Sequence, residues 1–286
     1  MPTAHSLLPR EGEPKARRVL VTGAAGRIGG YFAAMAPARL DLRLMVRPGE
    51  SLEKGGEVVE ADLLDLPRLK EACEGIDTVV HLAGDPRPFG EWASLLPNNV
   101  VGTYNLFAAA KAAGCRRVVY ASSIHAVSAH PPDAQVGPDD PVAPGDLYGV
   151  TKCFGEAMAR YMAEMEGLSA IAVRIGACLP PEWVSNPERI GNVDAWVSPR
   201  DLVQLLVRCV DDESLRFALV HALSGSRFNR LDITSARELL GYAPEDDVAS
   251  YNPAMPDGNA RVVTHTLRDG YGSGLRGDLP FGEEGF

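Results

Sequence analysis

Cysteine is sparse in this chain of 286 residues: five, at positions 73, 115, 153, 178 and 209, odd in number, scattered, and without a C-x-x-C pair. That spacing excludes a disulfide framework and a cysteine-based zinc site, and leaves reduced thiols as the reading; no other metal site is indicated. No apolar run approaches the roughly 18 residues of a membrane-spanning helix, so no membrane partner is expected. Positive charge is also short, 28 Lys and Arg against 38 Asp and Glu for a net charge of −10. Without a basic stripe to offset that surplus, nucleic acid is not expected as a partner. The first residues, Met1 to Lys15, carry Pro, Glu and Gly and no secretory h-region, so residues 1–16 are read as a disordered tail and the protein as cytoplasmic. Internal repeats are absent.

What is present is a core-forming composition, 45% hydrophobic, arranged in alternation. Strands are expected near 17–22, 41–46, 57–60, 77–82, 116–121 and 169–175, and helices near 27–36, 65–74, 91–113 and 147–166. Such alternation argues for an α/β fold, a doubly wound parallel sheet of Rossmann type with helices on both faces. The first strand runs directly into Gly23-Ala-Ala-Gly26-Arg-Ile-Gly29 and then a helical pattern. The spacing is G-x-x-G-x-x-G in place of the usual G-x-G-x-x-G. Its context is still that of a phosphate-binding turn: Gly23 for the tight turn, Gly26 for close backbone approach to a pyrophosphate, Gly29 for packing helix on strand. Residues 17–175 are therefore read as a dinucleotide-binding domain. After Gly176 the alternation fades. Helical patterns return at 199–210 and 235–240, and 176–286 is read as a small substrate-covering C-terminal lobe interleaved with the main domain, with no legible role for 246–286.

Tyr148-Gly-Val-Thr-Lys152 places a phenol and an ammonium one helical turn apart on one face. An ammonium nearby favours phenolate and brings tyrosine towards the working range of a general base. Ser123 ends the run Val118 to Ser123, at the carboxyl end of a buried strand where open α/β sheets hold ligands. Alternation turns Ser122 the other way.

These pieces together resemble the extended short-chain dehydrogenase/reductases, the NAD-dependent epimerase/dehydratase family. The likeness covers about Arg17 to Ala177 through six motifs in order: Thr22 to Gly29, Ala61-Asp-Leu63, His81-Leu-Ala-Gly84, Asn99-Val-Val-Gly-Thr103, Ala121-Ser-Ser123 and Tyr148 to Lys152. Within the family the chain is most similar to uronate dehydrogenases, on Tyr120 to His125, Asp146 to Glu156, Val173 to Cys178, Trp196-Val-Ser198 and Leu239 to Tyr242. The resemblance implies a hydride-transferring NAD(P)-dependent dehydrogenase acting on CH–OH groups of a small sugar-like molecule, with Ser123, Tyr148 and Lys152 catalytic. It assigns Gly23, Gly26, Arg27, Ile28, Gly29, Asp62, Leu63, Leu82, Ala83, Gly84, Asn99 and Ile175, besides Tyr148 and Lys152, to the cofactor. Ser123, His125 and Arg189 are assigned to the substrate. Asp62 could equally serve helix entry, and His81 is expected to serve its strand.

Two departures matter. The second strand ends in Arg47-Pro48 with no acid until Glu50, whereas NAD enzymes place a carboxylate there for the ribose 2′-hydroxyl. An arginine fork suits a phosphate, with Arg27 close enough to help, so the cofactor reading leans to NADP with NAD left open. The pocket also has Arg27, Pro86, Ile124 and Ala177 where the uronate enzymes carry polar residues, which points to a less hydroxylated substrate. Two rivals share the scaffold, a nucleotide-sugar epimerase or dehydratase and a non-catalytic dinucleotide-binding regulator. A homo-oligomer is left open.

Overall fold

The computed structural model describes residues 17–52, 56–131, 134–186, 194–226 and 229–252. Its centre is a parallel seven-stranded sheet formed by β1 Arg17–Thr22, β2 Leu40–Val46, β3 Glu57–Glu60, β4 Thr78–His81, β5 Arg117–Ser123, β6 Ser169–Ile175 and a strand at Phe217–Ala222. In space the order is β3-β2-β1-β4-β5-β6, with Phe217–Ala222 on the outer edge of β6. The strands are apolar on both sides because both faces are covered. Val19 and Val21 enter one core cluster with Phe32 and Leu206, while Leu20 enters the other with Leu69 and Phe107. Val119 and Tyr120 divide between the same two clusters.

β1 pairs with β2 on one side and β4 on the other, so the strand order reverses there and a crevice opens beyond their carboxyl ends. Helices α1 Arg27–Met35, α2 Leu66–Cys73, α3 Trp92–Leu95, α4 Gly102–Ala112 and α5 Leu147–Glu164 supply the crossovers. The helix expected over 91–113 is interrupted by a π-helical turn at Leu96–Val101. Pro97 has no N–H to donate, and the Gly102 N–H reaches back to its carbonyl instead.

The alternation does not stop at Ile175. After a short parallel pair, β7 Ala177–Cys178 with β8 Trp196–Val197, helix α7 Pro199–Asp211 leads to Phe217–Ala222, henceforth β9, and the main sheet gains its seventh strand. That strand was hidden by His221, whose ring is buried between Arg174 and the Asp232 carbonyl. Helices α6 Pro181–Val184 and α8 Thr234–Leu240 complete the set. Part of the stretch from Asp246 is docked: Asp246 accepts from Ser198 and Arg200, and Tyr251 stands edge-on to Trp196. The tail 1–16, Arg189 and residues 253–286 lie outside the described residues. Among those described, no helix is long and apolar enough to cross a membrane, and no cluster of three His, Cys, Asp or Glu could hold a metal ion.

Candidate active site

The glycine turn lies at the mouth of the crevice. Gly23 adopts φ +68°, and a Cβ there would come within 2.9 Å of the Ala83 Cα. At Gly29 a Cβ would collide with the Gly23 carbonyl oxygen, so only glycine lets α1 start this close to β1. Gly26 is the N-cap of α1 and provides no side chain to the helix's first N–H groups, which suits a bound phosphate. Thr22 ties the next wall in place: its Oγ1 accepts from the Leu82 and Ala83 N–H groups at 3.2 and 3.1 Å and so donates to His81 Nδ1 at 2.8 Å. Burial keeps His81 neutral, its pKa lowered to about 3, in the structural role expected of it.

Across the crevice, β5 and α5 bring Ser123, Tyr148 and Lys152 together. Ser123 accepts from the His125 N–H at 3.2 Å and hydrogen-bonds the Tyr148 hydroxyl. Tyr148 stands in the first turn of α5, whose N-cap Asp146 accepts from the Gly149 N–H at 2.7 Å. The second Asp146 oxygen lies 2.6 Å from His125 Nδ1, and the His125 ring meets Tyr148 edge-on at 5.3 Å. Ser122 faces the other way, bonding Glu156.

One expectation fails in this arrangement. Tyr148 is pushed up to about 12 by burial, against the Ser123 hydrogen bond, with the Asp146 and Asp85 carboxylates adding to the rise. Lys152 does not draw the phenol towards neutrality: its Nζ is committed to the Ala121 carbonyl at 2.9 Å and lies 5.4 Å from the centre of the Tyr148 ring. Burial itself lowers Lys152 to about 8, with Glu156 opposing.

Asn99 fastens the loop after β4 to the catalytic helix. Its Oδ1 accepts from the Asp85 N–H at 2.7 Å, while Nδ2 donates to the Asp85 carbonyl at 3.0 Å and to Thr151 Oγ1 at 3.1 Å. Asp146, Thr151 and Asp85 were not singled out from the sequence. Asp146 carried a signal, an N-cap aspartate just ahead of the helix; the others are joined only by the fold.

At the far end of the crevice Arg47 is 76% exposed, with Nε and Nη2 on Glu50 Oε1 at 3.0 and 2.6 Å. The acid missing from the strand end thus returns by a turn. Asp62 lies within electrostatic reach of Arg47 and closes the turn before α2 by accepting from the Leu64 N–H, while Asp65 is the helix N-cap. Leu63 is buried, its carbonyl accepting from Asn105. Arg27 is exposed and lies within electrostatic reach of Cys178 of β7. Ile124 packs in the apolar core, whereas Ala177 is half-buried and Pro86 exposed. Ile28, Leu82 and Ala83 are half-buried, Gly84 exposed and Ile175 buried at the end of β6.

A glycine turn at a strand-order reversal, facing a serine, tyrosine and lysine, defines a nicotinamide-dependent oxidoreductase scaffold. Residues 19–198 match the NAD dependent epimerase/dehydratase family, and the chain belongs to that family. It is 34% identical to the NAD-dependent glucose-6-phosphate dehydrogenase of Haloferax volcanii, covering 82% of this chain and 95% of that one. Identity is 35% with the L-arabinose 1-dehydrogenase (NAD(P)(+)) of the same organism, over 82% and 98% of the two chains. The crystal structure of uronate dehydrogenase from Agrobacterium tumefaciens superimposes with a TM-score of 0.73 at 33% identity, covering 89% of this chain and 97% of that one.

Proposed function

We propose that this protein oxidises a carbinol of a small sugar, of the aldose or uronate kind, with NADP or NAD as hydride acceptor. It is an NAD(P)-dependent dehydrogenase acting on sugar-like CH–OH groups, and the observation that carries the finer reading is the Ser123, Tyr148 and Lys152 cluster at the end of β5 and α5. The nicotinamide, when bound, supplies the hydride acceptor. Ser123 orients the carbinol oxygen, Tyr148 takes its proton, and the Lys152 ammonium, held on the Ala121 carbonyl, donates to the cofactor ribose. Asn99 and Asp146 hold the frame on which these groups stand, and His125, fixed by Asp146, contacts the sugar. The crevice wall at Pro86 and Ala177, with few polar groups, favours a less hydroxylated sugar.

For the cofactor, Gly23, Gly26, Gly29 and the start of α1 hold the pyrophosphate, Arg27 and Ile28 flank it, and Asp62 with Leu63 meets the adenine. Leu82, Ala83, Gly84 and Ile175 wall the nicotinamide end. Arg47 reads the ribose substituent. Its pairing with Glu50 is exposed and worth at most about 1 kcal/mol, so a 2′-phosphate displaces Glu50 readily. Arg47→Ala is expected to weaken NADP about tenfold or more and NAD little, a charge-assisted contact being worth roughly 1.5–3 kcal/mol. Titration of both dinucleotides checks this. Equal weakening of the two would reduce Arg47 to a solvated strand end.

A further inference from the structure

The loop after β4 holds an arrangement that the dinucleotide cradle and the proton-transfer groups do not use. The Asp85 side chain is 5% exposed, and its carboxylate is saturated. Oδ1 accepts from the Arg87 backbone N–H at 3.1 Å and from Arg87 Nε at 2.9 Å; Oδ2 accepts from Arg87 Nη2 and from Ser94 Oγ, both at 2.6 Å. The Ser94 hydroxyl in turn accepts from Nη2 at 3.3 Å. The Arg87 side chain, by contrast, is 66% exposed.

An ordinary surface ion pair exposes both partners and fixes neither. Here a buried carboxylate immobilises an exposed guanidinium by one edge. A guanidinium has donors on more than one edge and can fork to two anions at once. With Nε and Nη2 committed, Nη1 makes no hydrogen bond among the described residues, and the Glu91 carboxylate adds a second negative charge within reach of the guanidinium. The loop is also bound to the reacting groups: Asn99 holds the Asp85 backbone on both sides and bonds Thr151, three residues beyond Tyr148. The charge of Asp85 reaches the Tyr148 hydroxyl, so the clamp stands within electrostatic reach of the phenol. On a chain of net charge −10, an anion needs such a local cation to settle there.

We propose that Arg87 reads the anionic group of the substrate, a sugar carboxylate or phosphate, through its Nη1 side, and that Asp85 is its positioning residue. The proposal rests on the sugar dehydrogenase reading above and narrows it to anionic sugars.

The test compares kcat/KM for glucose, glucuronate and glucose 6-phosphate in native protein, Arg87→Ala, Arg87→Lys and Asp85→Asn. It is paired with calorimetric titration of the two anions into the protein saturated with reduced dinucleotide, where no turnover occurs. In Arg87→Ala the ratio of an anionic sugar over glucose should fall about tenfold or more, chiefly through KM. The anion whose ratio falls identifies carboxylate or phosphate as the group read. Arg87→Lys should restore part of the ratio, and Asp85→Asn should lower it with a larger change in KM than in kcat. Equal loss on glucose and both anions, or binding of neither anion by the native protein, overturns the proposal. Oxidation of no sugar alongside Arg87-dependent anion binding would overturn the dehydrogenase reading and leave the anion site standing.

Discussion

Tyr148→Phe is expected to lower kcat/KM by about 10²- to 10⁴-fold, the range that a positioned acid or base contributes, while dinucleotide affinity changes less than about twofold. The substitution deletes one oxygen and keeps the ring that packs edge-on to His125 and lies beside Lys152. A pH profile sharpens the expectation. Burial holds Tyr148 at about 12, so the phenolate fraction in the native protein rises about tenfold for each pH unit below that value. Lys152 keeps its ammonium only below about 8. Native kcat/KM should therefore climb with pH up to about 8 and flatten above it, as loss of the ammonium offsets the gain in phenolate. The residual rate of the variant should show no such climb. Steady-state kinetics from pH 6 to 10 measure both, and a variant within about threefold of native would remove Tyr148 from the chemistry.

Glu156→Ala is expected to be the most damaging single change to stability at the site's base. Glu156 and Arg174 form a buried bidentate pair at 2.8 and 2.9 Å, and Ser122 adds a hydrogen bond at 2.5 Å. Arg174 also faces His221, which burial and the arginine together hold at about 4, so the histidine does not compete as a cation at neutral pH. The pair ties α5 to β5 and β6, directly beneath the strand end that carries Ser123. Removing the carboxylate strands a buried guanidinium at a cost of about 3–5 kcal/mol, equivalent to a fall in Tm on the order of 10 °C. Replacing both residues, Glu156→Leu with Arg174→Met, should recover most of that loss because no charge is left unpaired. Urea and thermal denaturation of the two variants check it. A single variant within 1 kcal/mol of native, or a double variant as unstable as the single, would contradict the reading.

The parts of the molecule legible in the sequence are those dictated by neighbouring residues. Val19 to Val21 announces a strand buried on both faces, Gly23 to Gly29 a turn that only glycines can make, and Tyr148 with Lys152 a shared helical face. Alternation alone separates Ser123 from Ser122, and the structure places them on opposite sides. What was hidden depends on distant partners or on breaks in a pattern. Strand β9 carries a buried histidine that Arg174 and the Asp232 carbonyl accommodate. The π turn at Leu96–Val101, closed by the Gly102 N–H on the Pro97 carbonyl, breaks the helical period in mid-run. Glu50 curls back onto Arg47 through a turn, so an acid absent from the strand end is present in space. The phenol's environment was misread for the same reason: spacing puts Lys152 beside Tyr148, yet burial and the Ala121 carbonyl decide what its charge can do.

The central claim is that this crevice oxidises sugar carbinols with a nicotinamide dinucleotide, using Tyr148 as the base. The most direct measurement follows the absorbance of reduced nicotinamide when purified protein is given NADP or NAD with neutral aldoses, uronates and sugar phosphates, native and Tyr148→Phe side by side. Sugar-dependent reduction by the native protein that disappears in the variant is the predicted result. No reduction of either dinucleotide with any of these sugars, or equal reduction by both proteins, would contradict it.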